Sequence, residues 1–222
     1  MSVPRVPFRD RRHGGQVLAE KLDFLRGRDD VLVLALPRGG VAVGFEVAHA
    51  LGAPLDVFVV RKLGFPGHEE YAMGAIASGG VRVMNPMPGI SVSADQVAAV
   101  VSRETDELVR REKLYRGALP AQSMRGKTVV IVDDGLATGS TMRAAVMAVR
   151  RQQPAKIVVA VPVGAEETCA LLKTEADEVV VAAMPRPFRA VGLWYREFPQ
   201  SSDDEVRALL DEARRERAVP QA

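Results

Sequence analysis

Short apolar runs alternate along the chain with stretches whose apolar residues recur at helical spacing. The runs are VLVLAL (31–36), LDVFVV (55–60), TVVIVD (128–133), KIVVAVPV (156–163) and EVVVAA (178–183), and each reads as a strand buried on both faces. Helical spacing covers residues 41–51, 140–152 and 165–176 between them. This repetition predicts an α/β fold, a mostly parallel twisted sheet flanked by helices and joined by right-handed crossovers. In such sheets ligands bind beyond the carboxyl ends of the strands, so the residues just after each run matter most.

One stretch breaks the alternation. MNPMPGISVSADQ (84–96) is rich in Pro, Gly and Ser and leads into a charged helical segment, where Glu104, Glu107 and Arg111 are spaced to pair. The segment 84–117 reads either as a solvated helix or as a mobile cover over a site. Near the far end, Ser202 to Glu205 form a cap-and-acid helix start, followed by a polar tail. No repeat interrupts the chain, and its length suits a single domain.

Composition narrows the function classes. A net charge of +2 gives no global field for nucleic acid or an anionic membrane, and the N-terminal FRDRRH cluster is too small to supply one. The single cysteine, Cys169, leaves no internal disulfide and reads as a small core residue. His13, His49 and His68 are too scattered for a zinc site. No signal peptide or membrane-length run is legible, so the expected setting is cytoplasmic.

The chemistry concentrates in IVDDGLATGSTM (131–142). A phosphate at a helix start meets unpaired N–H groups and the positive end of the helix dipole. Gly135 and Gly139 allow close approach, and Thr138, Ser140 and Thr141 add hydroxyls. The stretch is neither a Walker A loop nor a dinucleotide G-x-G-x-x-G turn, and no triad surrounds its hydroxyls. Asp133 and Asp134 would accept from vicinal hydroxyls, so the loop fits a ribose 5-phosphate; a capped strand-to-helix turn is the bland alternative for the acid pair alone.

VVIVDDGLATGST resembles the phosphoribosyl-pyrophosphate (PRPP) signature of type I phosphoribosyltransferases, and the strand–helix order matches over residues 30–185. The resemblance implies that Asp133 and Asp134 hold the ribose 2′- and 3′-hydroxyls. It implies that Gly135 and the loop of Ala137, Thr138, Gly139, Ser140 and Thr141 cradle the 5′-phosphate. LPRGGV would bind diphosphate through Arg38, Gly39 and Gly40, in a turn that often carries a non-proline cis peptide, and VVRKLG would add Arg61 and Lys62. FRDRRHGGQVLAEKL, VRKLGFPGHEEYAMGAI and FRAVGLWYREFPQSSDDEV extend the likeness to stand-alone bacterial members with no settled acceptor.

The same resemblance implies a small hood built from residues 1–29 and 186–222 around the core. The base side would take Trp194 and Tyr195, with Phe188, and Tyr71 beside Glu69 and Glu70. Mg²⁺ would be held largely by substrate oxygens and water, with Asp133 and Asp134 contributing. The implied reaction moves ribose 5-phosphate from PRPP to a nitrogenous acceptor, releasing diphosphate. A non-catalytic PRPP-binding regulator is the main alternative, and a phosphorolytic enzyme a third. Ala137 stands where 6-oxopurine enzymes carry an aspartate, which argues against that acceptor class. Family members often dimerise, so a homodimer is expected.

Overall fold

A computed structural model describes residues 6–84 and 92–218, without the side chains of residues 69–71. Five parallel strands form the central sheet: β1 (Val31–Ala35), β2 (Leu55–Val57), β6 (Thr128–Val132), β7 (Lys156–Val163) and β8 (Glu178–Ala183), in the order β2-β1-β6-β7-β8. Alternate side chains enter two separate cores. Val33, Val130 and Val158 face one, while Leu32, Val129 and Ile157 face the other. Both faces are covered, which explains why these strands read as continuous apolar runs.

The first core is closed by α1 (Arg11–Lys21), α2 (Gly40–Leu51) and α6 (Asp203–Ala218). The second is closed by α4 (Ser140–Arg150) and α5 (Glu166–Leu172). Among the described residues, no helix is long and apolar enough to cross a membrane.

The apolar run 55–60 is not one strand. The chain leaves the parallel sheet after Val57, where Phe58 N donates to Ala35 O at 3.0 Å. Val59 N then donates to Ser78 Oγ at 2.9 Å, passing the chain to a second, antiparallel sheet. That sheet comprises β3 (Val60–Phe65), β4 (His68–Ala77) and β5 (Val81–Met84). Residues 85–91 of the expected cover lie outside the described residues. The remainder forms α3 (Ala94–Arg116), capped reciprocally by Ser93 and Gln96 and buried along Val100, Leu108 and Tyr115. Its end is pinned to β2 by the buried Arg116–Asp56 pair at 2.8 Å.

Residues 8–9 pair with residues 194–197. Phe8 N donates to Trp194 O at 2.8 Å, Arg196 N to Phe8 O at 2.8 Å and Glu197 N to Arg9 O at 2.9 Å. This paired ribbon sits against α1, at the carboxyl edge of the sheet.

Candidate active site

The acid pair follows β6 directly. Asp134 N donates to Asp133 Oδ1 at 2.8 Å, and Arg11 Nε donates to Asp134 Oδ2 at 2.8 Å. Asp133 Oδ2 and Asp134 Oδ1 have no hydrogen-bond partner on another described residue. Each half-buried carboxylate thus has one oxygen that could accept from a ligand hydroxyl. Withdrawal from water pushes both carboxyls above the usual range; Asp134 raises Asp133 further, and Arg11 opposes the rise in both.

The loop then turns into α4. Leu136 N donates to Val163 O at 2.9 Å and Ala165 N to Leu136 O at 2.8 Å, clipping the loop to the end of β7. Thr168 Oγ1 donates to Ala137 O at 2.5 Å. The N-cap of α4 is Gly139, with φ 70° and no capping side chain. A Cβ at Gly139 would stand 2.5 Å from Thr168 Cγ2, so glycine is demanded twice. Ser140, Thr141 and the uncapped N–H groups of the first turn, beside Thr138, could therefore receive an anion.

The turn after β1 packs against the acid pair. Its Pro37–Arg38 peptide is cis. A Cβ on Gly39 would lie 2.0 Å from Asp134 Oδ2, and one on Gly40 would lie 2.9 Å from Asp133 Cα. Arg38 remains partly exposed, with Nη1 4.0 Å from Asp203 Oδ1. Asp203 also accepts from Tyr115 Oη at 2.6 Å, and burial with this contact pushes the phenol up to about 12.

Other expected residues fall elsewhere. Arg61 and Lys62 do not end a parallel strand but lie within β3. Arg61 donates through Nε and Nη2 to Glu104 Oε2 at 2.9 and 2.6 Å, because the nearly buried Glu104 requires a cation. Lys62 is exposed. Tyr195 offers no open ring to a base. It is buried between Phe8 and Phe198, and its hydroxyl donates to Asp134 O at 2.6 Å. Trp194 is half-buried near Phe188, ring centroids 6.3 Å apart; its enclosed indole N–H has no acceptor among the described residues. The side chains of Glu69, Glu70 and Tyr71 lie outside those described.

Tyr195→Phe should keep the ring packing and lose only the bond to Asp134 O. We expect a stability loss of about 1 kcal/mol in urea denaturation. A loss near zero would show that the hydroxyl does not hold the hood to the loop.

Two residues at the site were not anticipated. Arg11 lies in FRDRRH and Asp203 in SSDDEV, stretches that carry a basic cluster, a helix start and part of the family likeness but point to no site role for either residue. Metal ligation is correspondingly sparse. Among the described residues, no group of three or more His, Cys, Asp or Glu could hold an ion.

The phosphoribosyl transferase domain family matches residues 13–182. Relatives in two Mycobacterium tuberculosis strains, CDC 1551 / Oshkosh and ATCC 25618 / H37Rv, are provisionally named phosphoribosyl transferases. Each is 48% identical over 211 residues, covering 94% of this chain and 47% of the relative. The chain thus spans about half the length of the curated relatives it matches. Among solved structures, TT1426 from Thermus thermophilus superposes with a TM-score of 0.83 at 44% identity, covering 92% of this chain and 98% of that one.

Proposed function

The chain belongs to the phosphoribosyl transferase family, and from that premise we propose that it moves ribose 5-phosphate from PRPP to a nitrogenous base or related acceptor, releasing diphosphate. The observation that carries the reading is the arrangement of three features on two packed loops. An acid pair with one oxygen per carboxylate left for a ligand is packed by the arginine-bearing turn at Gly39, and the same loop runs on to an uncapped helix start at Gly139. Each matches one part of PRPP: the vicinal hydroxyls, the 5′-phosphate and the diphosphate.

In this reading the C1–oxygen bond breaks, positive charge develops on the ribose ring, and the acceptor nitrogen adds from the opposite face. The protein supplies placement and charge compensation rather than a nucleophile. Asp133 and Asp134 fix the ribose through its hydroxyls. The first turn of α4 anchors the 5′-phosphate, and Arg38 faces the departing diphosphate. The site's donors are hard oxygens, which fits Mg²⁺. With only two carboxylates available, the ion would arrive largely coordinated by diphosphate and water, held through Asp133 or Asp134. When bound it would neutralise the leaving group. Ala137 is exposed and carries no acid, so an acceptor needing no proton transfer from the loop is favoured over a 6-oxopurine.

The Arg61–Glu104 pair favours a second reading, a PRPP-binding regulator, since it leaves Arg38 as the less encumbered cation of the two. Calorimetric titration of PRPP with and without Mg²⁺, followed by a base panel read as diphosphate release, separates the two. Mg²⁺-dependent binding and release with one base is the expected result. Binding without release on any base would favour the regulator, and no binding would overturn both.

A further inference from the structure

Asp134 is held by more than its own loop. Arg11, the first residue of α1, is 123 positions away in sequence and, among the described residues, is the only cation bonded to either member of the acid pair. Three contacts hold its guanidinium. Nε donates to Asp134 Oδ2 at 2.8 Å, Nη1 donates to Pro199 O at 2.6 Å, and the group lies 3.7 Å from the centroid of the Phe198 ring. The side chain is only 11% exposed, so this is not a surface pair of negligible weight.

The seat under Arg11 is itself built by long-range structure. Asp10 caps α1 by accepting from His13 N at 2.8 Å, which sets the direction of the first turn. The ribbon of residues 8–9 and 194–197 then brings Phe198 and Pro199 beneath the guanidinium. Tyr195, in the same ribbon, holds the main chain of Asp134 through its hydroxyl at 2.6 Å. Beside this contact the backbone of Gly39 also closes against Oδ2, leaving no room for a Cβ. One carboxylate oxygen is therefore held by Arg11 and crowded by the turn after β1, and the other is left for a ligand.

We propose that Arg11 is a positioning residue for ribose capture: by clamping Asp134 Oδ2 it aims Oδ1 at a ribose hydroxyl, so that pairing of residues 8–9 with 194–197 controls the sugar subsite. This rests on the PRPP reading above and adds a residue that acts through Asp134 rather than on the substrate. Diphosphate alone does not use the acid pair, so its binding should not depend on Arg11.

The test compares the full chain with Arg11→Met and Arg11→Lys by calorimetry, using Mg²⁺ with PRPP and, separately, inorganic diphosphate without metal. Circular dichroism checks the fold of each variant. We expect Arg11→Met to weaken PRPP about tenfold, the weight of one charge-assisted hydrogen bond, with diphosphate affinity held within about twofold. Arg11→Lys should recover part of the PRPP affinity by restoring the cation, and it carries the test if the methionine variant does not fold. Equal losses for both ligands would make Arg11 merely structural and overturn the proposal. So would tighter PRPP binding, which would mean that Arg11 occupies the ribose seat. Wild-type protein that binds no PRPP would reject the functional reading itself. Wild-type binding with both variants unaffected would reject only the role of Arg11.

Discussion

Asp133→Asn combined with Asp134→Asn should abolish measurable PRPP binding while the protein remains folded. Each substitution keeps the side chain's volume and removes its charge. Asparagine can turn an N–H₂ toward a ribose hydroxyl, where the carboxylate offers only acceptors. Two charge-assisted hydrogen bonds are lost together, and at about 1.5–3 kcal/mol each the combined effect on affinity exceeds about a hundredfold. Titration calorimetry of the double variant checks this, with circular dichroism as the control. Wild-type affinity in a folded double variant would reject the assignment of the acid pair.

The single variant Asp133→Asn carries a stability signature as well. Burial and the Asp134 charge raise the Asp133 pKa in the folded state. A carboxyl that titrates higher when folded costs stability once ionised. The cost begins as pH rises past the unfolded value of about 3.9 and is complete above the folded value. Removing the charge should therefore raise the melting temperature at pH 8, with the gain shrinking toward pH 4. A gain that stays constant across that range would show that ionisation of Asp133 is not its source. Stabilisation bought by losing the ligand would be a stability–function trade-off at a binding site.

Gly39→Ala should disturb the acid pair directly. The added carbon would sit 2.0 Å from Asp134 Oδ2 and 3.1 Å from Arg11 Nε. Either the carboxylate swings off Arg11 or the whole turn after β1 retreats. On the PRPP reading both responses misplace groups proposed to bind substrate, and a displacement near 1 Å can cost about a hundredfold. We expect that loss in PRPP affinity, with about 1–3 kcal/mol of stability lost to overpacking. Gly27→Ala is the matched control. Its φ of 70° also disfavours alanine, yet a Cβ there meets nothing within 4 Å, so stability should fall without a change in affinity. Unaltered PRPP binding by Gly39→Ala would show that the turn need not pack on the acid pair.

The parts of this architecture legible in the chain are those governed by local pattern. Both-face burial makes the parallel strands continuous in Val, Leu and Ile, so four of the five expected runs coincide closely with strands. LDVFVV misled because an apolar run does not record which sheet its residues join. Its last residue opens an antiparallel strand that carries Arg61 to Glu104. Tyr195 misled for a related reason. An aromatic beside a predicted pocket can stack on a ligand or fill the hood, and here Phe8 and Phe198 take its ring while Asp134 O takes its hydroxyl.

The sequence by itself determined the layered α/β frame and the loop after β6, because strand burial and the order of acids, glycines and hydroxyls in residues 131–142 are local properties. Only the tertiary structure decided how that loop is completed. Arg11 meets Asp134 across 123 residues, and Asp203 approaches Arg38, because pairing of residues 8–9 with 194–197 and docking of α6 bring them to the carboxyl edge of the sheet. Those contacts depend on the sheet order and on the packing of distant elements, quantities that no short stretch of sequence encodes.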